Sequence, residues 1–302
     1  MSMCMRNILP NNTIALPIDG VQVFAPLFDS IPDDLSKLDI AKANLFCATG
    51  LRGAEGLDIS RCLVQLDKIA NATLRYTQDG FSHFESDPAF FDHSIVNFRL
   101  TALGTMLGKG LGIRYNPERI HHPDHSNSQD IFIHGLLGGQ RSGTCVSIPV
   151  LHVAVGRRLG YPMKLSLAKG HVFARWDSPT ERLNLEANGV GTQCFDDEHY
   201  RKWPHPISQE EVDAGRYLKS LTPHEELAVF LAARGHCMED NGRLLEAKLA
   251  YEHAVKLVPT EPNYHYFLEN LLGQIALHGN NSPSSAGSSF SFLALSIPLT
   301  RS

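Results

Sequence analysis

The stretch that most limits what this chain can become runs Gly143-Thr144-Cys145-Val146-Ser147-Ile148-Pro149 and on to Gly160-Tyr161-Pro162. It reads as a thiol set where a tight glycine turn feeds the first turn of an apolar helix. Helix-terminal N–H groups and the positive end of the helix dipole favour thiolate over thiol there. In such sites the thiol pKa drops from ~8.5 to roughly 3.5–7.5. The competing reading of a cysteine is a small buried hydrophobe, so the choice rests on the residues around and after it. Gly135, Gly138, Gly139 and Gly143 keep side chains away from the approach to Cys145, and Val150, Leu151, Val153, Ala154 and Val155 carry the helix to Arg157 and Arg158. Pro149 cannot donate to the Cys145 carbonyl, so the first turn must loosen or shift. Ser142, Thr144 and Ser147 all remain open as its N-cap.

The 302 residues, 43% hydrophobic and 20% charged, suffice for one large or two modest domains with an ample core. A formal net charge of -5 argues against nucleic acid as the main partner. Cys4, Cys47, Cys62, Cys145, Cys194 and Cys237 are scattered singly with no CxxC pair, which fits a reduced compartment better than a disulfide framework or a zinc ribbon. The first residues carry Pro and Asn where a secretory signal needs an apolar run. No stretch approaches the roughly 18 consecutive apolar residues of a membrane span, so a cytoplasmic protein without membrane contact is expected.

Two motifs invite cofactor or metal readings and lose them. Gly108-Lys109-Gly110-Leu111-Gly112 lacks the preceding strand and following helix of a phosphate loop, and reads as a helix end and turn. His121-His122-Pro123-Asp124-His125 packs three imidazoles and a carboxylate into a polar loop, but no distant Cys/His pair completes a shell. A solvated loop is expected, with no metal and no cofactor.

Residues 1–34, with Pro10, Pro17, Pro26 and Pro32, read as an extended segment. Helices are predicted from Leu35 to a stop at Gly50, from Asp58 or Ser60 past Leu74, and from Ser94 to Met106. Ile131-Phe132-Ile133 suggests a short strand. After the apolar helix, Met163–Leu167, His171-Val172-Phe173-Ala174-Arg175-Trp176 and Arg182-Leu183-Asn184-Leu185-Glu186-Ala187 read as strands. A hairpin closed by Asp177-Ser178-Pro179-Thr180 places His171 opposite Glu186, Phe173 opposite Asn184 and Arg175 opposite Arg182. Directly opposed Cβ atoms lie roughly 4.5–5.5 Å apart, close enough for a carboxylate to hold an imidazole. Cys145, His171 and Glu186 then form a nucleophile, its base and the group that orients the base.

Gly143-Thr144-Cys145, Leu159-Gly160-Tyr161-Pro162, Gly170-His171-Val172-Phe173-Ala174-Arg175-Trp176 and Asn184-Leu185-Glu186-Ala187 together resemble a transglutaminase-like core. Cys47-Ala48-Thr49-Gly50-Leu51, Leu57-Asp58-Ile59 and Arg114-Tyr115-Asn116-Pro117 look like its SirB-type branch, over roughly residues 35–260. The resemblance implies an α+β, papain-like fold with the cysteine helix packed on a small antiparallel sheet. It assigns Cys145 as nucleophile, His171 as base and Glu186 as third member, with Glu in place of the commoner Asp and Val146 where an aromatic often follows the cysteine. Asn184 stays open as an alternative orienter of His171. An oxyanion donor is expected from the Cys145 N–H, with Gln140 as a second candidate and Thr144 in support.

Thr222-Pro223 followed by Glu225-Glu226 marks a helix start. From Ala228 the placement of Gly235, Ala247, Tyr251, Ala254 and Pro259 resembles one tetratricopeptide-like unit. A single unit cannot bury its own faces, so it must dock on the rest of the chain or on a partner. Asn263–Ala276 adds a helix, and Gly279–Ser289 reads as linker before an apolar tail. The chain thus divides into segment 1–34, a domain 35–218 (helical 35–130, core 131–218), a helical hairpin 219–276 and a flexible tail 277–302. Two functions compete. One is acyl transfer or amide and peptide hydrolysis through a Cys145 thioester; the other is a catalytically silent scaffold whose repeat binds a protein partner. The substrate and the oligomeric state are not specified by the sequence.

Overall fold

The computed structural model describes residues 37–119, 123–186 and 193–280. Segment 1–34, His121, His122, Ala187 and the tail beyond 280 lie outside the described residues. The architecture is α+β, largely helical with one small antiparallel sheet.

Local capping sets most helix starts. Helix α1 (Ile40–Ala48) begins where the Asp39 carboxylate accepts the Ala41 and Lys42 N–H groups, later than Leu35. Asp58 caps α2 (Ile59–Asp79), whose buried stripe is Leu66, Ile69, Ala70 and Thr73. After α3 (Phe81–Ser86), Ser94 caps α4 (Ile95–Thr105), which closes in a π-helical turn over Met106–Gly110, the segment that invited a phosphate-loop reading. Strand β1 (Arg114–Tyr115) comes next. Ile131-Phe132-Ile133 is not a strand. It joins α5 (Ser128–Ile131) to α6 (Ile133–Gly138), kinked at the extended Phe132. All three side chains are buried, and a short apolar run buried on every side carries no period that separates strand from helix. Asn44 Oδ1 accepts the Ile133 N–H at 3.0 Å and holds the kink on α1.

Strand β2 (Ser142–Gly143) pairs in parallel with β1, bringing Tyr115 level with Gly143. Helix α7 (Ser147–Arg158) leads into an antiparallel sheet ordered β3 (Met163–Ala168), β4 (His171–Asp177), β5 (Arg182–Glu186) and β6 (Gln193–Phe195), the last not anticipated from sequence. The β4–β5 register is two residues away from the expected one: Arg175 faces Asn184 and Asp177 faces Arg182. The loop is therefore Ser178–Glu181, closed by Ser178 Oγ against the Glu181 carbonyl and N–H. The shift replaces an Arg175–Arg182 opposition by an Asp177–Arg182 ion pair at 3.0 Å, and opposite charges are the favourable cross-strand pair.

Short helices α8 (Asp197–Lys202) and α9 (Gln209–Asp213) cover the sheet. Helix α10 (Pro223–Asp240) starts in a capping box of Thr222 and Glu225 and pairs with α11 (Leu244–Leu257); α12 (Pro262–Asn280) is the last described helix. A Cβ on Gly235 would sit 2.3 Å from Tyr251 Cε1, so glycine is what lets the Tyr251 ring lie against α10. This hairpin docks on the rest of the chain. Arg234 Nη1 donates to the Cys47 and Thr49 carbonyls at 2.7 Å, Arg157 pairs with Glu226, and one apolar core runs from α1 through α7 to α11.

Candidate active site

Cys145 precedes α7 rather than lying in its first turn. The helix begins at Ser147, and Val146 in the cap position contributes no side-chain bond, so none of the three candidate caps serves. The turn is fixed instead by a short hydrogen-bond lattice. The Thr144 N–H donates to Ser147 Oγ, the Val146 N–H to Thr144 Oγ1, and both hydroxyls donate to the Asp130 carbonyl. Pro149, at the third helical position, has no N–H to place, and the Ile148 N–H bonds the Thr144 carbonyl. Gly143 is required by crowding: a Cβ there would meet Ser147 Oγ at 2.6 Å and Leu136 Cδ2 at 2.9 Å.

His171, at the start of β4, is 5% exposed, and its Nε2 lies 2.8 Å from Glu186 Oε2. The sequence pairing of these two residues holds as a contact and fails as a register. Continuing the β4–β5 ladder sets Phe173 opposite Glu186, so the carboxylate reaches His171 along the diagonal. Diagonal partners lie roughly 7–8 Å apart, within reach of a long side chain. The longer Glu suits that span. The same Oε2 accepts the Tyr200 hydroxyl at 2.9 Å. Tyr200 stacks on Phe173 with ring centroids 3.9 Å apart, and Trp203 meets the His171 ring edge-on at 4.7 Å. These rings limit how the imidazole can turn.

On its other side the imidazole faces the Cys145 thiol, close enough for each group to shift the pKa of the other. With Nε2 held by Glu186, Nδ1 is the ring nitrogen left to the sulfur. Burial opposes ionisation of the thiol, but the hydrogen bond and charge of His171, aided by the Tyr115 hydroxyl, outweigh it and lower its pKa. Burial likewise opposes the imidazolium. Its bonds to Cys145 and Glu186 prevail and raise His171 to about 10. Both shifts run in the direction of a thiolate–imidazolium pair, with the Glu186 carboxylate behind the ring.

Sequence reasoning missed Tyr115. Its hydroxyl accepts the Cys145 N–H at 3.2 Å and lies beside the thiol, and burial with the neighbouring sulfur raises its own pKa. Only the parallel β1–β2 ladder brings it there, across an interval without local signal; its sole trace is the Arg114-Tyr115-Asn116-Pro117 motif. Gln140 is not free for an oxyanion: its Nε2 is committed to the Asp130 carboxylate and the Ser142 carbonyl. Asn184 does not orient His171. It accepts from Arg175 Nε at 2.6 Å and donates to Asp197 at 2.8 Å, in a buried network that also holds the Leu218 carbonyl. Thr144 supports the turn from a fully buried position.

Elsewhere, His125 departs from the solvated-loop expectation. It is 2% exposed, packs against His236 at 5.4 Å, and burial lowers its pKa to about 4. Among the described residues no three His, Cys, Asp or Glu side chains are grouped to hold a metal ion, and no helix is long and apolar enough to cross a membrane. Cys47, Cys62, Cys145, Cys194 and Cys237 are all free thiols.

No family model matches the chain, and no solved structure matches it. It is similar to two proteins of Xylella fastidiosa, strains 9a5c and Temecula1, both named UPF0162 protein. Each is 25% identical over 173 residues, 56% of this chain and 59% of the relative. The match therefore spans less than two thirds of those relatives' length, and their name states no activity.

Proposed function

We propose that the protein is a transglutaminase-like cysteine enzyme of SirB type with a papain-like core, acting in acyl transfer or amide hydrolysis. The observation that carries this reading is one imidazole that lies against the Cys145 thiol and is held, at 2.8 Å, by the Glu186 carboxylate. In the step proposed, the Cys145 thiolate adds to an amide carbonyl to form a C–S bond. The resulting oxyanion takes a hydrogen bond from the Tyr115 hydroxyl as it turns from sulfur, and one from the Cys145 N–H once the Tyr115 oxygen that now accepts it gives way. His171 passes its proton to the leaving amine as the C–N bond breaks, leaving a thioester. Water or a second amine then attacks the thioester while His171 takes up its proton, and the C–S bond breaks to release the acid or the new amide and restore the Cys145 thiolate. Glu186 keeps the ring oriented and its charge compensated throughout. The cysteines among the described residues are all free thiols, which fits a reducing compartment, the cytoplasm.

The pH dependence of alkylation tests this. Full-length protein treated with iodoacetamide should be modified at Cys145 well below pH 8, with the reactive plateau persisting until the imidazolium is lost near pH 10. His171→Ala should move the titration up to that of an ordinary thiol and cut the pH 6 rate by about 10²-fold. A wild-type rate no faster than a free thiol defeats the proposal. The scaffold reading, with the C-terminal pair as a single tetratricopeptide-like unit recruiting a protein partner, draws less support. Helix α10 uses Arg234 and its apolar side chains on α1, inside the molecule.

A further inference from the structure

A cavity of about 60 Å³ lies between the sheet and the C-terminal helices, and it begins at the candidate site. Val146, next to the nucleophile, and the base His171 form one wall. Val229, Ala232 and Ala233 of α10 form the facing wall, with Tyr264 and Phe267 of α12 beyond. The α10 residues recur at the three- and four-residue spacing of one helix face, so that face is turned to the site. Ala232 and Ala233 are what leave the space; longer side chains there would fill it.

On the scale where one water needs about 10–15 Å³, this cavity has room for an isobutyl or phenyl group. Its exposed lining is almost wholly carbon. His236 and Glu261 border it, but burial lowers His236 to about 3, keeping it neutral, and burial also raises the Glu261 carboxyl. A charged occupant therefore finds no matching surface. An apolar hollow beside an ion pair is what positions a substrate by its uncharged part while the polar groups do the chemistry.

We infer that this cavity receives an apolar group of the substrate, of isobutyl to phenyl size and a few bonds from the reacting carbon, so that the C-terminal helices set the specificity of the thiol site. The inference rests on the Cys145 nucleophile proposed above, and one experiment separates the two. Full-length protein is treated at pH 6.5 with 2-chloro-N-methylacetamide, its N-isobutyl and N-benzyl analogues, and the ammonium-bearing N-(2-aminoethyl) analogue. The thiolate displaces chloride and forms an S–C bond, and the rate at Cys145 is read by mass and divided by that of glutathione. The isobutyl and benzyl reagents should outrun the methyl one by about tenfold or more. Ala232→Leu and, separately, Ala233→Leu should collapse that ratio toward the glutathione value, while Phe267→Ala should shift the preference to the larger benzyl group. A fast methyl reaction with no dependence on the apolar group, or fastest reaction with the ammonium reagent, overturns the inference and leaves the nucleophile standing. If no reagent reacts faster than with glutathione, the nucleophile falls and the inference with it.

Discussion

Cys145 and Cys47 are both thiols with a cation nearby, and the fold drives them in opposite directions. Cys47 lies in α1 with no exposed surface, and burial pushes its thiol up to about 12 despite the charge of Arg234. That guanidinium directs Nη1 at the Cys47 and Thr49 carbonyls, tying α10 to the end of α1. At Cys145 burial acts in the same sense, yet the hydrogen bonding and charge of His171, with the Tyr115 hydroxyl, reverse the outcome. Cys194 and Cys237 resemble Cys47, raised chiefly by burial, Cys194 to about 11. The charge of Arg234 does not offset burial at Cys47, whereas at Cys145 the charge of His171 acts together with hydrogen-bonding groups at the sulfur.

The contrast is broken most directly by labelling all the cysteines together. At pH 6, iodoacetamide should modify Cys145 at least about 10³-fold faster than Cys47, since each pKa unit is a tenfold change in thiolate. Peptide mass mapping reads this, and equal labelling would erase the distinction. Next in size, Arg234→Met should leave the Cys47 and Thr49 carbonyls without that partner and cost about 2–5 kcal/mol in urea unfolding. Cys47 should stay unreactive in the variant, because burial rather than the guanidinium governs it. A newly reactive Cys47 would show that the helix contact, not burial, had silenced it.

Smaller effects sharpen the Cys145 side. Glu186→Asp shortens the diagonal reach by one methylene, loosening the bonds to His171 and Tyr200. His171 should then hold its proton less firmly, and alkylation of Cys145 at pH 6 should slow by about tenfold. Full activity in Glu186→Asp would mean the observed register does not demand the longer acid. Tyr115→Phe distinguishes support of the thiolate from support of an oxyanion. Acylation by p-nitrophenyl acetate, which develops an oxyanion, should lose about tenfold more rate than alkylation by iodoacetamide, which does not. Equal losses would confine Tyr115 to the sulfur.

How far the chain could be read ahead varies with the range of the forces involved. Asp58, Ser94 and Thr222-Pro223 announced their helices because a cap acts within one turn, and the three strands after α7 were legible from composition and turn residues. Cys145, His171 and Glu186 could likewise be picked out as candidates, as residue types able to take complementary acid–base roles, and the fold does bring them together. Their geometry was not legible. The offset between β4 and β5 was decided by which loop closed and by Asp177 meeting Arg182 instead of Arg175, a choice between whole pairings. Tyr115 reached the sulfur through a two-residue parallel ladder, and the kink at Phe132 was set by Asn44 on α1; both depend on distant chain arriving first. Amino-acid order by itself determined the local elements and the chemical kinds present. Tertiary packing alone decided which donors touch the thiol, because hydrogen bonds act over about 3 Å and only the assembled fold brings such groups that close.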